Sequence, residues 1–457
     1  MSTLRILVIG GNGAGLSAAS QARRVNPNVD VTVFEAGSFI SFGACGLPYF
    51  ISGEVPDLKN LFLFTPEKMK AQRGIDVKTR QRVVEIEPAA TRIHVEDEET
   101  GFPSRHEYDR LIIATGSSYA TGPFTPGKPL GVLGAWNAGD AIVLKTFIES
   151  RYPQKVVVAG GNLLGLEMAE AFHKRGMKVT VVEMQEHILP NFGMELSKIV
   201  LDRMENMGIS VIQGTPVSSV TSDENGFIAS VILGDGTELP VDMLFLGIGA
   251  KPNSEIALKA GCAEGVDKTI VVNRRMQTSI SHIYACGDCA QYINRIDSRG
   301  MYFPMGSAAN RGGRVAGENS AGGNADFPGV VGTIVIPIFG LEIGRTGLNE
   351  QQAAKFAKNL GISESQTYTK AGYLPDTAKV NIRLLYDRDN RKLLGAEIAG
   401  GPGSGSRINV FATALCAGMT IDEIYGLDLI YTPKISPLWD PVLFSTGLAR
   451  YTEDYYA

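Results

Sequence analysis

Two copies of one glycine-rich pattern, about 150 residues apart, most strongly constrain what this 457-residue chain can fold into. The first copy is an apolar strand, Leu4–Ile9, followed by the letters GGNGAG at 10–15 and by a helix rich in small residues. A second strand then ends at Glu35. A strand, a glycine turn, a helix and a terminal acid in this order predict a βαβ unit that binds a dinucleotide.

Each landmark of the pattern has a physical role. Gly10 allows the tight turn, Gly15 lets the helix pack against the strand, and the helix N-terminus offers backbone N–H groups to a pyrophosphate. Glu35, 20 residues beyond Gly15, can accept hydrogen bonds from an adenosine ribose. The corresponding landmarks of the second copy are Gly160, Gly165 and Glu183.

Both copies carry asparagine where the middle glycine of the pattern usually stands, at Asn12 and at Asn162. That glycine permits close approach of the backbone to the phosphates. Each asparagine must therefore hydrogen-bond the ligand or adopt an unusual backbone angle, unless the neighbouring glycines supply the space.

Two more strand ends supply candidate ligand contacts. One apolar strand begins at Leu111 and ends in a turn at Thr115 and Gly116, and another begins at Ile283 and ends at Asp288. Asp288 is placed to accept a hydrogen bond from a flavin ribityl hydroxyl. The alternative is that this aspartate caps the next helix.

Cys45 lies ten residues after Glu35, in the segment SFGACGLPY at 41–49. No second cysteine stands at the CxxC or CxxxxC spacing, so a thiol beside a flavin could cycle only through sulfenate, persulfide or mixed-disulfide states. Gly46 and Pro48 suit a helix N-terminus, which would stabilise a thiolate. The alternative is a small buried core cysteine.

The other cysteines are predicted to be structural. Cys286 and Cys289 form a CxxC, but it overlaps the strand and turn that carry Asp288, and no second CxxC or histidine pair completes a zinc site. Cys262 and Cys416 are interpreted in the same way. We therefore expect no metal site.

Bulk properties narrow the partners and the compartment. The net charge of −5 argues against a nucleic acid or an anionic membrane, and no apolar run approaches the 18 residues of a membrane span. An odd number of cysteines, five, and a start without a signal peptide predict a reducing cytoplasm. The expected partners are small molecules.

Over almost its whole length the chain resembles the flavoprotein pyridine nucleotide-disulfide oxidoreductases. The resemblance rests on the two units, the Ser-Phe-x-x-Cys-Gly-x-Pro-Tyr segment, Ala-Thr-Gly, Gly-Asp and a β-rich C-terminal region. Within that family the chain looks like the single-cysteine branch of coenzyme A-disulfide reductases, coenzyme A persulfide reductases, NADH oxidases and NADH peroxidases. The resemblance implies an α/β fold with two Rossmann-like domains and a C-terminal α+β dimerisation domain.

The resemblance also implies domain limits and cofactors. An FAD-binding domain would comprise residues 1–120 and 275–326, an NAD(H)-binding domain residues 121–274, and the dimerisation domain of a homodimer residues 327–457. FAD would be held by Gly10, Gly15, Glu35, Thr115, Gly116 and Asp288, and the nicotinamide nucleotide by Gly160, Gly165 and Glu183.

Glu183 indicates NADH rather than NADPH, because a carboxylate hydrogen-bonds a free ribose 2′-OH and repels a 2′-phosphate. Met184 and Gln185 supply no arginine for that phosphate. The chain has Leu163 where many relatives carry a tyrosine that gates the nicotinamide pocket.

Coenzyme A-disulfide reductases hold their ligand with residues that match Gln21, Arg24, Ser41 and Arg73 here. Two tyrosines of the other subunit close the pocket in such enzymes, and Tyr373 and Tyr431 fall in the corresponding segments. Tyr431 could act as a general acid toward the leaving sulfur, or simply pack. The chain departs from the subgroup at Ala44, where asparagine is common, and at Lys434, where the usual Tyr-Ala-Pro-Pro has become Tyr-Thr-Pro-Lys.

The leading prediction is an FAD-dependent enzyme that passes electrons from NADH through the flavin to Cys45, which reduces a low-molecular-weight disulfide, persulfide or polysulfide, with coenzyme A as the candidate carrier. One alternative is an NADH oxidase that reduces oxygen. Peroxide chemistry is disfavoured because Gly13 occupies the place of the histidine that peroxidases of the group carry. A further alternative is an NADH-sensing flavoprotein that docks a protein partner.

Overall fold

The structure is a computed structural model that describes the backbone of residues 3–456 and the side chains of residues 3–451. Short helices connect and cover several β-sheets. In chain order the helices are α1 (Gly13–Val25), α2 (Leu47–Ser52), α3 (Pro66–Arg73), α4 (Ala138–Arg151), α5 (Leu163–Lys174), α6 (Met194–Asn206), α7 (Glu255–Lys259), α8 (Gly306–Ser320), α9 (Glu350–Phe356), α10 (Ile408–Ala417), α11 (Ile421–Tyr425) and α12 (Pro441–Tyr456).

The first unit is built on a five-stranded parallel sheet. Its central strand is apolar and buried along most of its length, as a strand covered on both faces must be. α1 connects the central strand to its neighbour and packs against α8. In spatial order the strands are Ile283–Ala285, Arg110–Ile113, Arg5–Ile9, Asp30–Phe34 and Asp76–Lys78.

The second unit repeats this architecture with another five-stranded parallel sheet. α5 connects two adjacent strands, and the buried faces of α4, α5 and α6 contribute to one core cluster with them. In spatial order the strands are Ser210–Gln213, Lys178–Glu183, Lys155–Ala159, Met243–Leu246 and Val132–Leu133.

The first sheet joins distant parts of the chain, because its parallel neighbours Arg110–Ile113 and Ile283–Ala285 are separated in sequence by the whole second unit.

Antiparallel segments accompany each unit. The antiparallel strands are Gln81–Glu87, Arg92–Asp97 and Pro103–Glu107 beside the first unit, Val217–Ser222, Ile228–Leu233 and Glu238–Pro240 beside the second, and the pairs Ser117–Tyr119 with Ala250–Pro252 and Tyr292–Ile293 with Gly300–Met301.

The C-terminal region is a five-stranded antiparallel sheet covered by helices, which include α10 and α12. The α/β fold with two Rossmann-like units and an α+β C-terminal domain is therefore confirmed. The exact limits given above for the three domains stay predictions. In spatial order the strands of this sheet are Ile334–Ile338, Leu341–Gly347, Leu393–Gly400, Lys379–Asp387 and Leu360–Tyr368.

A helix that crosses a bilayer must be both long and apolar. Among residues 3–456, no helix combines enough of both to cross a bilayer.

Candidate functional site

The first glycine turn, residues 10–15, leaves no room for a side chain at either end. Gly10 has a φ of +111°, and a Cβ there would lie 2.1 Å from the oxygen of Ala114. A Cβ on Gly15 would lie 1.9 Å from the Gly10 oxygen. The second glycine turn, residues 160–165, repeats this packing, with a Cβ on Gly165 only 2.0 Å from the Gly160 oxygen. Both turns therefore require glycine at these positions.

The two asparagines of the turns have ordinary extended backbones, with φ −106° at Asn12 and −84° at Asn162. Their side chains differ. Asn162 accepts from the Gly165 N–H at 3.1 Å and so caps α5, whereas Asn12 accepts from the Phe42 N–H at 2.9 Å and leaves α1 without a side-chain cap. The α1 N-terminus thus keeps backbone N–H groups for a ligand.

The residues at the start of α1 fit the pyrophosphate of a dinucleotide. The first turn of α1 contains no acidic side chain that would repel an anion. A Cβ placed on Gly13 would meet nothing within 4 Å, so open space adjoins the helix N-terminus. An uncapped helix N-terminus beside open space is a binding site for phosphate groups.

The two terminal acids occupy equivalent positions. Glu35 accepts from the N–H groups of Gly11 and Gly37, each at 2.7 Å. Glu183 accepts from the N–H of Gly161 at 2.6 Å and of Gln185 at 2.8 Å, and it is buried. Each carboxylate is thereby fixed beside its glycine turn.

Asp288 lies at the edge of the first sheet and accepts from the Ser117 hydroxyl at 2.8 Å. Burial raises the pKa of this carboxyl. Between Asp288 and Gly306, where α8 begins, the structure contains no α-helix, so Asp288 caps none. The Thr115 hydroxyl donates to the Asn253 carbonyl at 2.5 Å, and the adjoining Gly116 has a φ of +68°.

Cys45 lies in a single 3₁₀ turn, Ala44–Gly46, directly before α2. Its side chain is exposed, whereas a structural core cysteine would be buried. The protein packed around the thiol raises its pKa by desolvation, and the negative charges of Glu167 and Asp288 raise it further. The surrounding protein groups therefore favour the neutral thiol over the thiolate. The helix N-terminus had led us to expect a stabilised thiolate. The helix offers only six residues, too few for a strong dipole.

Glu167 is a site residue that the sequence analysis missed. It lies on α5, two residues beyond the last glycine of the second turn, and its charge acts on both Cys45 and Tyr49. Burial raises the pKa of Glu167 to about 7, and the nearby charge of Glu170 adds to the shift. Its place immediately after the glycine turn was a signal that could have identified it.

Replacing Glu167 with glutamine is expected to stabilise the protein at pH 8 and to have little effect below pH 4.5. Because folding raises the pKa of this carboxyl from 4.5 to about 7, the folded state is favoured while the carboxyl is neutral and loses stability as the pH rises through 7. Glutamine stays neutral at every pH and so avoids that loss. The gain in free energy of unfolding at pH 8 would be up to about 3 kcal/mol. Thermal unfolding midpoints at pH 4.5 and pH 8 test this, with the exposed Glu224→Gln as control. An equal effect at both pH values would contradict it.

The candidate coenzyme A residues lie on and around α1. Arg24 donates to the Gln21 side-chain oxygen, and Gln21 donates to Glu318 at 3.0 Å. Arg73, at the end of α3, donates to Ser20 at 2.5 Å and lies 4.5 Å from the centre of the Phe64 ring. Arg73 therefore contacts α1 at Ser20, the residue before Gln21.

Ser41 lies between the first glycine turn and the segment that leads to α3. Its N–H donates to the Gly11 oxygen at 2.9 Å, and its oxygen accepts from the Leu63 N–H at 3.4 Å. The φ of Ser41 is +58°, in the left-handed region that few non-glycine residues adopt. Strained backbone of this kind is concentrated at functional sites.

Tyr373 and Tyr431 lie in two neighbouring segments at the surface of the C-terminal domain. A hydrogen bond of 3.1 Å from the Ala371 N–H to the Pro433 oxygen joins their two segments. Both tyrosines are exposed, Tyr373 by 76% and Tyr431 by 54%. They are therefore available to a second subunit.

The remaining cysteines are placed unlike Cys45. Cys286 and Cys289 are fully buried, and the Cys289 thiol donates to the Cys286 oxygen at 3.3 Å. Burial raises the pKa of both thiols. Cys262 is also buried, whereas Cys416 is exposed.

Comparison with known proteins gives two family matches. The family described as pyridine nucleotide-disulphide oxidoreductase matches residues 4–303. The dimerisation domain of the same family matches residues 335–441.

Individual relatives align along nearly the whole chain. The NAD(P)H sulfur oxidoreductase (CoA-dependent) of Pyrococcus furiosus is 34% identical over 99% of this chain and 100% of its own length. The NADH oxidase of Methanocaldococcus jannaschii is 34% identical over 96% of this chain and 97% of its own. The solved NAD-dependent persulfide reductase from A. fulgidus superposes with a TM-score of 0.95 at 34% identity, over 99% of this chain and 84% of that chain.

Proposed function

The chain belongs to the pyridine nucleotide-disulphide oxidoreductase family, and on that premise we propose that it uses NADH to reduce a coenzyme A-linked disulfide or persulfide, or a polysulfide, through Cys45. Membership of the family implies FAD and NAD(P)H as cofactors, and the dimerisation domain indicates a homodimer. Three points go beyond family membership and are proposed here: the identity of the acceptor, the roles of single residues and the preference for NADH.

The observation that carries the proposal is the placement of Cys45. It is an exposed thiol three residues beyond Phe42, whose N–H donates to Asn12 of the first glycine turn. The buried CxxC pair cannot reach an external acceptor. A single accessible thiol at a dinucleotide site can form a mixed disulfide or persulfide only with an external sulfur compound.

FAD, when bound, supplies the two-electron chemistry that links NADH to the thiol. The first glycine turn and the N-terminus of α1 would bind its pyrophosphate, Glu35 its adenosine ribose, and Asp288 a ribityl hydroxyl. Thr115 and Gly116 would line the site through their backbone, because the Thr115 hydroxyl is bonded to Asn253. The Cys45 thiolate would form a mixed disulfide with one half of a disulfide acceptor and release the other half as thiol. Two electrons and a proton would then cleave that bond to the second thiol and the Cys45 thiolate.

The nicotinamide nucleotide would bind at the second glycine turn, through Gly160, Gly165 and Glu183. Glu183 is fixed by two backbone N–H groups, so it cannot easily turn away from an incoming 2′-phosphate. A buried carboxylate beside a phosphate dianion is unfavourable, which supports NADH over NADPH.

The acceptor side would be formed by two subunits. Gln21 and Arg24 on α1 and Arg73 on α3 would supply polar and cationic groups suited to the phosphates of coenzyme A. Ser41 would add a hydroxyl, and Tyr373 and Tyr431 would come from the partner subunit. The names of the P. furiosus and A. fulgidus relatives, a CoA-dependent sulfur oxidoreductase and a persulfide reductase, support this chemistry.

Turnover with a panel of acceptors tests the proposal. We expect kcat/KM for coenzyme A disulfide, coenzyme A persulfide or polysulfide to exceed that for oxygen at least about a hundredfold, and NADH to exceed NADPH at least about tenfold. NADH consumption is measured anaerobically with each sulfur compound and separately in air-saturated buffer. Consumption in air that matches or exceeds that with every sulfur acceptor would contradict the proposal.

An NADH oxidase is the second candidate function, supported by the name of the M. jannaschii relative. Against it, Gly13 supplies no acid or base at the position where peroxidases of the group carry a histidine. The air-saturated arm of the panel decides between the two functions.

A further inference from the structure

The helix that follows Cys45 belongs to the first unit by sequence but packs in the core of the second. The buried side chains Leu47, Phe50 and Ile51 of α2 share a hydrophobic cluster with residues of α5, among them Leu166 and Phe172. α2 has only six residues, and a helix this short is not stable without such packing. The second unit therefore holds the segment that carries the thiol.

The second unit also satisfies the last carbonyl groups of α2. The Tyr49 oxygen accepts from the Gly53 and Val55 N–H groups within its own segment. The next two oxygens are bonded by side chains of the second unit. Lys145 donates to the Phe50 oxygen at 3.2 Å, and Arg175 donates to the Ile51 oxygen at 2.8 Å.

Further contacts hold Lys145 in place and tie the end of this segment to the second unit. The Lys145 side chain is only 17% exposed, and its ammonium lies 4.9 Å from the centre of the Phe50 ring. Just beyond α2, Lys174 forms a 2.7 Å ion pair with Glu54. Cations at a helix C-terminus complement the helix dipole and satisfy carbonyl groups that the helix leaves unbonded.

We propose that Lys145 and Arg175 are positioning residues for Cys45. These two cations hold α2 against the second unit and so fix the place of the thiol. The inference rests on the proposed function of Cys45. Both cations lie on the unit that would bind the nicotinamide nucleotide, so the place of the thiol depends on how the two units pack. Displacement of a reacting group by about 1 Å can reduce a rate by up to about a hundredfold.

The test uses the flavin-loaded protein with Lys145→Met, Arg175→Met and the double variant. In the double variant we expect alkylation of Cys45 by iodoacetamide to rise at least about threefold and turnover with coenzyme A disulfide to fall at least about tenfold, while reduction of the flavin by NADH changes less than about twofold. The single variants should give intermediate alkylation rates. Peptide mass spectrometry assigns the alkylation to Cys45.

Conservative variants and a matched control separate positioning from general destabilisation. Lys145→Arg and Arg175→Lys keep a donor cation and should restore alkylation and turnover to within about twofold of the parent protein. Lys251→Met removes a surface lysine that pairs with Glu255 at 2.6 Å and should change neither.

The inference would be overturned if Lys145→Met, Arg175→Met and the double variant were alkylated no faster than the control Lys251→Met. It would also be overturned if neither Lys145→Arg nor Arg175→Lys kept the alkylation and turnover rates of the parent protein. Should the double variant not fold, the two single variants decide by the same criteria. If the parent protein reduces no sulfur acceptor, the proposed function fails, whereas the alkylation rates still decide the inference.

Discussion

Replacing Cys45 with serine will lower turnover with a disulfide or persulfide acceptor by about a thousandfold or more, while NADH still reduces the bound flavin. Serine cannot form a disulfide or persulfide, so the acceptor loses its covalent attachment to the protein. Stopped-flow absorbance of the flavin and steady-state NADH consumption measure the two half-reactions separately.

The chain offers a matched control for this prediction. Cys416 is the other exposed cysteine among residues 3–451, and it lies on α10 of the C-terminal domain. Cys416→Ser should leave both half-reactions unchanged. Acceptor turnover that survives in Cys45→Ser, or that is lost in Cys416→Ser, would refute the role given to Cys45.

Replacing Gly15 with alanine will reduce the flavin content of the purified protein at least about tenfold. The added methyl would lie 1.9 Å from the Gly10 oxygen, so the glycine turn and α1 would have to separate. The N–H groups that would bind the pyrophosphate move with them. Flavin absorbance per protein chain measures the loss.

Two further alanine variants make this prediction specific to one site. Gly165→Ala clashes in the same way in the second turn, so the protein should purify yellow but be reduced by NADH at least about tenfold more slowly. Gly372→Ala, in the C-terminal domain, meets no atom within 4 Å and should keep both properties. A Gly15→Ala protein with full flavin content would contradict the assignment of the first turn to FAD.

Local features of the two units were accessible from the sequence. The strands around each glycine turn are continuous apolar runs, and glycine is required at Gly10 and Gly15 by contacts within a few residues or between adjacent strands. The start of the first helix was less accurate, because the whole glycine pattern at 10–15 was predicted to precede the helix, whereas α1 begins at Gly13. The first turn of a helix has no periodic pattern of its own to mark it.

Features that depend on distant contacts were not predicted. The Ser117–Asp288 hydrogen bond joins residues 171 positions apart, and Lys145 reaches the Phe50 oxygen across 95 positions. The raised pKa of Cys45 arises from desolvation by the protein packed around the thiol and from the charges of Glu167 and Asp288, so the local helix pattern suggested the opposite direction. Such effects are set by contacts between residues that are far apart in the chain, which spacing in a sequence does not encode.

The account depends most on a covalent bond between Cys45 and the acceptor sulfur. The NADH-reduced protein is mixed with coenzyme A disulfide, quenched in acid, digested and analysed by mass spectrometry. We predict one coenzyme A per subunit, in disulfide linkage to the peptide that contains Cys45, and its release as thiol by one further equivalent of NADH. Consumption of NADH with Cys45 unmodified, or with the adduct on another cysteine, would contradict the account.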